Sequence, residues 1–136
     1  MYETFSHTAD LGLKVRAADL NQLFADAAAG LFSILVADIP SDPAATKRHL
    51  EVGASQLDLL LRDWLGELLY VFEAERVLLR DFDVEVGQHE LAATAWAQPF
   101  DPARHRPLRE VKAITYHGLK VEPVATGWIA EVIVDI

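Results

Sequence analysis

The 136-residue chain has no cysteine, no long apolar run and few basic side chains relative to acidic ones. The lack of cysteine excludes disulfides, a thiolate nucleophile and cysteine-ligated zinc or iron–sulfur sites. The 12 lysines and arginines against 21 aspartates and glutamates give a formal net charge of −9. That charge argues against a protein that coats nucleic acid or docks on an anionic membrane by itself. With no transmembrane run and no signal-peptide pattern at the start, we expect a soluble, cytoplasmic protein.

Hydrophobic residues, by contrast, make up 51% of the chain. This content and the length of 136 residues suit one globular domain that buries a core without metals or disulfides. The sequence contains no internal repeat, low-complexity tract or flexible linker. It therefore predicts a single domain over residues 1–136.

Two segments have the apolar spacing of amphipathic helices. The first follows Asp19, a predicted N-cap that Gln22 would complete as a capping box. The second follows Ser55, another predicted N-cap, and has Asp58 in its first turn, where the helix dipole favours an acid. The apolar positions of the first are Leu20, Leu23, Phe24, Ala27, Leu31 and Ile34. Those of the second are Leu57, Leu60, Leu61, Trp64, Leu65, Leu68, Leu69 and Phe72. We expect both stripes to pack in the core.

The rest of the chain has strand patterns. Residues 5–16 alternate apolar and polar side chains with a period of two, and Gly12 would mark a bulge that divides the run. The segments Val77–Val86 and Glu90–Trp96 flank a glycine-containing turn at residues 87–89 and predict a hairpin.

Near the end, Val111–Val121 and Trp128–Ile136 predict two further strands around a loop at Glu122–Gly127. The late strands are separated from the two helices along the chain. This order predicts an α+β two-layer sandwich, a mostly antiparallel or mixed sheet with two main helices packed on it.

The segment Ser6-His7-Thr8-Ala9-Asp10 clusters polar side chains near the start of an otherwise apolar strand. It could place a hydroxyl, an imidazole and a carboxylate at one sheet edge. Strand alternation alone offers a plainer interpretation, in which Ser6, Thr8 and Asp10 form a solvated face and His7 is a half-buried residue.

A second candidate is the apolar strand that runs to the last residue of the sequence. If it docks in the sheet, the side chain of Asp135 and a terminal carboxylate on Ile136 lie close together. With Asp10 on an adjacent strand, three carboxylates would gather, and such oxygen ligands suit Ca²⁺ or Mg²⁺. The alternative is that Asp135 merely ends the strand in water.

The third candidate is the concentration of positive charge at Arg104, Arg106, Arg109 and Lys112, with His105 among them. These side chains could bind a phosphate or an acidic partner surface. The plainer interpretation is a solvated loop between strands.

Five motifs, in this order and at this spacing, resemble the archease family almost from end to end. They are Phe5–Asp10, Leu20–Ala28, Trp64–Tyr70, Glu110–His117 and Val134–Ile136.

Archeases are small accessory proteins of the GTP-dependent RNA ligase RtcB, which joins tRNA halves after intron removal and repairs broken RNA. In the family, archease promotes the guanylylation of the ligase and allows multiple turnover. The resemblance therefore implies an activator and not an enzyme. It implies an RtcB-type ligase as the partner, RNA contacted only through the ligase, and no membrane.

The resemblance also implies roles for particular residues. Asp10, Asp135 and the carboxylate of Ile136 correspond to family metal ligands, with Ca²⁺ expected and Mg²⁺ or Mn²⁺ as alternatives. Lys112 matches a functionally important lysine and would contact a phosphate or an acid on the ligase. His7 is a further expected contact with the ligase.

The chain departs from the family pattern at three places. It has Ala97-Gln98 where the family commonly has Gly-Glu, Gln56 where an aspartate is frequent, and Gly66 in place of a usual asparagine. These changes put in doubt any acidic contact from those positions and leave the expected metal ligands intact.

Two other functions remain open from the residues. One is a small metal-dependent phosphoester hydrolase with His7 as general base. The other is an RNA-binding module that uses Arg104 to Lys112, which the acidic net charge disfavours.

Overall fold

Strands and helices follow one another along the chain in a computed structural model that describes residues 1–7 and 10–136, with His7 described by its backbone alone. The described strands are β1 (Tyr2–His7), β2 (Asp10–Ala17), β3 (Thr46–Gly53), β4 (Val77–Val86), β5 (Glu90–Pro99), β6 (Ala113–Ile114), β7 (Lys120–Val124) and β8 (Gly127–Asp135). The helices are α1 (Leu20–Leu35) and α2 (Leu57–Glu75).

The strands form two sheets in which every pairing is antiparallel. One has the order β1-β2-β8-β6, with β7 also paired to β8, and the other has the order β3-β5-β4. Helix α1 packs on β2 and β4, and α2 packs on β3 and β4, so the helices join the sheets through a common core. The α+β prediction with two helices on antiparallel sheets is confirmed, and the sheet is divided into two parts.

The two predicted helical stripes form the centre of the core. Trp64 and Phe24 are fully buried, and the indole Nε1 of Trp64 donates a hydrogen bond to the carbonyl of Phe24 at 3.0 Å. This bond satisfies the one polar atom of the indole inside an apolar cluster. Only the first position of each stripe, Leu20 and Leu57, is partly exposed.

Helix α1 begins as predicted, but its capping box is not formed. The carboxylate of Asp19 accepts the backbone N–H of Gln22 at 2.8 Å, which confirms the N-cap. The side chain of Gln22 does not return to the cap, and its amide donates to Asp26 at 2.7 Å. The box prediction is wrong because an acid one turn later takes the amide.

Helix α2 begins later than predicted. Its N-cap is Gln56, whose side chain makes no capping hydrogen bond, so the prediction of Ser55 is wrong by one residue. Asp58 lies in the first turn as expected and accepts the N–H of Leu59 at 2.8 Å. The carboxylate of Asp58 thus accepts one of the first-turn N–H groups that have no partner within the helix, which the side chain of Gln56 does not do.

Gly12 does not mark a bulge, and that prediction is wrong. It lies inside β2 opposite Phe5 of β1, and the Phe5 ring covers the place where a Cβ would be. The alternating run divides instead between His7 and Asp10, across residues 8–9 that lie outside the described part of the chain.

The hairpin of β4 and β5 is confirmed, with β5 extended to Pro99. The prediction of one strand over Val111–Val121 is wrong. That segment holds the two-residue β6 and the start of β7, separated by a turn at Gly118, whose φ is 61°. The left-handed backbone at this glycine turns the chain between the two strands.

Within the described residues, neither helix is both long enough and apolar enough to cross a membrane.

The contact between Gly12 and Phe5 gives a test of the β1–β2 pairing. Gly12→Ala should destabilise the protein by about 1 kcal/mol or more, because the Cβ displaces the Phe5 ring. Gly66→Ala is the control, since nothing lies within 4 Å of its Cβ position. That change should stabilise α2 by about 1 kcal/mol. Urea denaturation measures both.

In a Phe5→Ala background the Gly12→Ala change should lose its cost, because no ring remains to be displaced. An equal cost in both backgrounds would show that Phe5 is not what Gly12 accommodates.

Arg48 of β3 and Glu75 of α2 form a bidentate ion pair, with Nη1 2.7 Å from Oε1 and Nη2 2.9 Å from Oε2. The hydrogen bond from Arg48 lowers the pKa of Glu75 below its ordinary value of 4.5. The same bond raises the pKa of Arg48. The pair links the end of α2 to β3, the edge strand of the three-stranded sheet.

Glu75→Gln should destabilise the protein slightly at neutral pH and less in acid. Because the folded-state pKa of Glu75 is lowered, its contribution is complete above the ordinary pKa and is lost as the pH falls through the folded-state value. The effect is small because both side chains are partly solvated. Urea denaturation of both proteins at neutral pH and at roughly pH 3 measures it. A difference that does not change with pH would contradict this assignment.

Candidate functional site

Asp10 and Asp135 face each other across two neighbouring strands. Asp10 is the first residue of β2, Asp135 is the last of β8, and the antiparallel register places them directly opposite. Opposed residues on antiparallel strands point their side chains to the same face. The predicted proximity of these two carboxylates is therefore a feature of the backbone pairing.

On its other side, β8 is bordered by the short strand β6. Ala113 lies opposite Asp135, and the backbone N–H of Lys112 donates to the carbonyl of Asp135 at 2.7 Å. Asp135 is thus held between Asp10 on one side and the Lys112–Ala113 segment on the other. The structure brings three of the predicted site residues to one end of the sheet.

The carboxylate-bearing residues of the candidate site are less exposed than Lys112. Asp10, Asp135 and Ile136 are half-buried, and Ile136 packs against the apolar core. Lys112 is exposed, and within residues 1–7 and 10–136 it has no carboxylate in ion-pair range. The carboxylates lie on a supported strand end, while the ammonium group faces outward.

The backbone of His7 lies opposite Asp10 in the β1–β2 pair. Ser6 beside it is exposed. The side chain of His7 and all of Thr8 and Ala9 lie outside the described part of the structure. Of the predicted polar patch, the structure therefore describes the side chains of Ser6 and Asp10. The roles of His7 remain predictions.

Two carboxylates, those of Asp10 and Asp135, dominate the chemistry at this end of the sheet. Among the described residues, no group of three or more histidine, cysteine, aspartate or glutamate side chains is gathered for a metal ion. Two aspartates are gathered, and the residue that follows Asp135 is Ile136, whose carboxylate was the third expected ligand. Oxygen ligands of this kind suit hard cations such as Ca²⁺.

The basic segment around Arg104, Arg106 and Arg109 is an irregular stretch with a fixed backbone. Its three arginines are exposed. The carbonyl of Arg106 accepts from Ala37 at 2.9 Å, which ties the segment to the end of α1. Its guanidinium groups are accessible on a backbone that is held in place.

His105 does not belong with the exposed cations. It is 2% exposed, and its Nδ1 accepts the backbone N–H of Asp101 at 3.0 Å. Its ring also stacks on Phe100 with 6.1 Å between centroids. The expectation of a solvated basic loop therefore holds for the arginines and not for this histidine.

Sequence reasoning missed a pairing near the site. The guanidinium of Arg62 on α2 lies over the ring of Tyr116 at 4.6 Å from the centroid, although Tyr116 itself is 59% exposed. The sequence feature that could have indicated this contact is Tyr116 itself, an aromatic residue of the Glu110–His117 motif that is not part of any predicted apolar stripe. Because Val111–Val121 is predicted as one strand, the sequence offers no reason to expect Tyr116 to lie next to α2.

Gln98, where the family commonly has glutamate, lies in a buried position that suits a neutral side chain. Gln98 is 2% exposed, and its amide donates to the carbonyl of Pro40 at 3.1 Å. A glutamate at this position would carry a charge into a buried site, whereas the neutral amide supplies a donor.

The fold and this edge define a small α+β protein with paired carboxylates at the ends of adjacent strands. The chain belongs to the Archease protein family (MTH1598/TM1083), whose family model matches residues 2–136. It is 36% identical over 140 residues to the protein archease of Pyrococcus abyssi, covering 99% of this chain and 98% of that protein. It is 35% identical over 140 residues to that of Methanosarcina mazei, covering 99% and 95% respectively.

Solved structures show the same architecture. The solution structure of Methanobacterium thermoautotrophicum protein 1598 has a TM-score of 0.85 at 28% identity, covering 99% of this chain and 98% of that one. A Thermotoga maritima archease, described as a possible chaperone, has a TM-score of 0.66 at 16% identity over 100% and 98%. The second likeness concerns the fold alone.

Proposed function

We propose that this protein is an accessory factor of an RtcB-type RNA ligase in tRNA splicing and RNA repair. It promotes guanylylation and repeated turnover of the ligase and performs no catalysis of its own. Family membership supports the proposal. The observation that carries it is the opposition of Asp10 and Asp135 beside the exposed Lys112.

The paired acids are proposed to hold one divalent cation. Asp10, Asp135 and the terminal carboxylate of Ile136 would supply the oxygen ligands, with Ca²⁺ as the expected ion and Mg²⁺ or Mn²⁺ as alternatives. Carboxylates gathered on adjacent strand ends repel one another, and a bound cation offsets that repulsion.

Lys112 and His7 are the proposed contacts with the ligase. The exposed ammonium of Lys112 can approach a phosphate or an acidic side chain on the partner. Its backbone is bonded to Asp135, so a ligase surface that meets Lys112 also meets the metal-bearing edge. By binding the guanylylation-competent state better than the other states, the protein would shift the ligase toward it.

The net charge of −9 is consistent with this division of labour. The ligase would hold the RNA, and this protein would contact RNA only through the ligase. The same acidity disfavours docking on an anionic membrane surface. A cytoplasmic location is part of the proposal.

Removal of either aspartate should weaken cation binding. Asp10→Ala and Asp135→Ala are each expected to lower Ca²⁺ affinity on the order of tenfold or more, because affinity follows the number of charged oxygen ligands. Isothermal titration calorimetry with CaCl₂ measures this effect. Asp83→Ala is the matched control, because Asp83 is an exposed aspartate on β4 of the other sheet.

A short extension after Ile136 tests the third ligand in the same experiment, since it converts the terminal carboxylate into an amide. Ile136→Val, which keeps the carboxylate, is its control. Unchanged affinity in both aspartate variants, with native thermal stability, would contradict the proposed metal site.

Lys112→Ala should reduce stimulation of the ligase while leaving the fold and cation binding unchanged. The expected reduction is on the order of tenfold, typical of losing one charged contact at an interface. The measurement is labelling of an RtcB-type ligase with radioactive GTP, with substoichiometric amounts of each variant. Arg104→Ala is the matched control, because it removes an exposed positive charge from the nearby basic segment.

No stimulation by the unaltered protein, with an active cognate ligase, would overturn the proposed function. Metal-dependent phosphoester hydrolysis by the isolated protein would then favour the hydrolase alternative. Equal losses in Lys112→Ala and Arg104→Ala would contradict a specific role for Lys112.

A further inference from the structure

Strand β3 is the outer strand of the three-stranded sheet. It pairs with β5 on one side, and within residues 1–7 and 10–136 no strand pairs with its other side. An edge strand presents unpaired N–H and C=O groups that can bond to another extended chain. At eight residues, β3 is long enough to offer several such groups.

The register shows which residues of β3 point their backbone groups outward. Just beyond the strand, the N–H of Ala54 donates to the carbonyl of His89 at 2.9 Å, in line with the β3–β5 pairing. In an antiparallel ladder, residues bonded to the neighbour alternate with residues that are not. Counting back from Ala54, the even-numbered residues of β3 bond to β5. Lys47, His49 and Glu51 therefore direct their N–H and C=O groups to the free edge.

The side chains of the same three residues also face solvent. The side chains of His49 and Glu51 are 60% and 75% exposed, and Lys47 is exposed as well. In the described part of the chain the ion pair recorded for Glu51 is with His49, at 3.7 Å, and Lys47 lies over the Trp96 ring at 5.9 Å. Among the described side chains, no permanent opposite charge neutralises Lys47 or Glu51.

These positions make β3 self-complementary. If two copies of β3 pair antiparallel about His49, then residue 47 of each copy lies opposite residue 51 of the other. Lys47 then meets Glu51 of the second copy, and Glu51 meets Lys47 of the second copy. The residues of these charged pairs point their backbone groups outward, so hydrogen bonds and side-chain charges agree in one register.

We propose that β3 is a homodimerisation strand that pairs antiparallel with β3 of a second copy of this chain about a two-fold axis. The two three-stranded sheets then join into one continuous sheet, with Lys47 and Glu51 paired twice across the axis. A two-fold contact of this kind uses the same patch on both copies. The inference stands apart from the proposed function, because β3 belongs to the other sheet.

Charge supports a second copy as the occupant, despite the net charge of −9 on each chain. Arg48 is already paired with Glu75 of its own chain, so the edge contributes one lysine and one glutamate to the contact. A lysine on an edge strand ordinarily discourages strand addition. In this register it has a carboxylate partner instead.

The contact consists of one strand from each copy, so the buried area is small and the dimer is expected to be reversible. Sedimentation velocity of the full chain over roughly 5 to 500 µM should show a monomer–dimer equilibrium that shifts with concentration. A chain that stays monomeric over the whole range overturns the proposal.

Charge reversal tests the register. Lys47→Glu and Glu51→Lys should each weaken self-association about tenfold, because each places two like-charged pairs across the axis. An equimolar mixture of the two variants should form a heterodimer, since the reversed charges complement each other in both pairs. The double variant K47E/E51K should also recover self-association.

Arg16→Glu is the control for net charge, because Arg16 is exposed on β2 and the substitution changes the charge by the same amount. It should leave the dissociation constant unchanged. Dimerisation that is insensitive to Lys47→Glu, equally sensitive to Arg16→Glu, or not recovered in the mixture overturns the assignment of β3 as the interface.

Discussion

The antiparallel pairing of β2 with β8 is the constraint on which the candidate site depends. It runs without a break from Asp10 opposite Asp135 to Ala17 opposite Trp128. Leu13 of β2 and its partner Val132 are fully buried on the face that meets the helices. Because a slip of one residue would turn every side chain of a strand to the other face, the apolar core fixes the register. The same register fixes the two aspartates opposite each other, so the core determines the geometry of the site.

This arrangement separates a supported part of the edge from an accessible part. The carboxylates lie at strand ends within a sheet that is backed by the core, and such support holds ligands in a defined geometry. Lys112 is bonded through its backbone to Asp135 and exposes its side chain. The proposed accessory role would use both properties, a preorganised group and a surface open to its partner. Membership of the archease family is the reason for proposing that these two properties serve a partner enzyme.

The sequence predicted those features that depend on local periodicity. Both helical stripes and the β4–β5 hairpin follow from apolar spacing and strand alternation. The approach of Asp10 to Asp135 is expected only if the last strand docks beside β2, and the β2–β8 pairing supplies that condition. The errors concern contacts of individual side chains and strand pairings that apolar spacing does not report. Gly12 lies under the ring of a cross-strand phenylalanine, and the amide of Gln22 bonds to Asp26 one helical turn later. The short β6 owes its pairing to β8, which local alternation cannot show.

The proposed function requires the opposed carboxylates to bind a divalent cation at this end of the sheet. The most direct measurement is X-ray diffraction from crystals grown with Mn²⁺, with anomalous data collected to locate the metal. We expect an anomalous peak coordinated by Asp10 and Asp135, with the carboxylate of Ile136 as a further ligand. A well-occupied peak elsewhere, or none at this edge at saturating Mn²⁺, would contradict the proposed metal site.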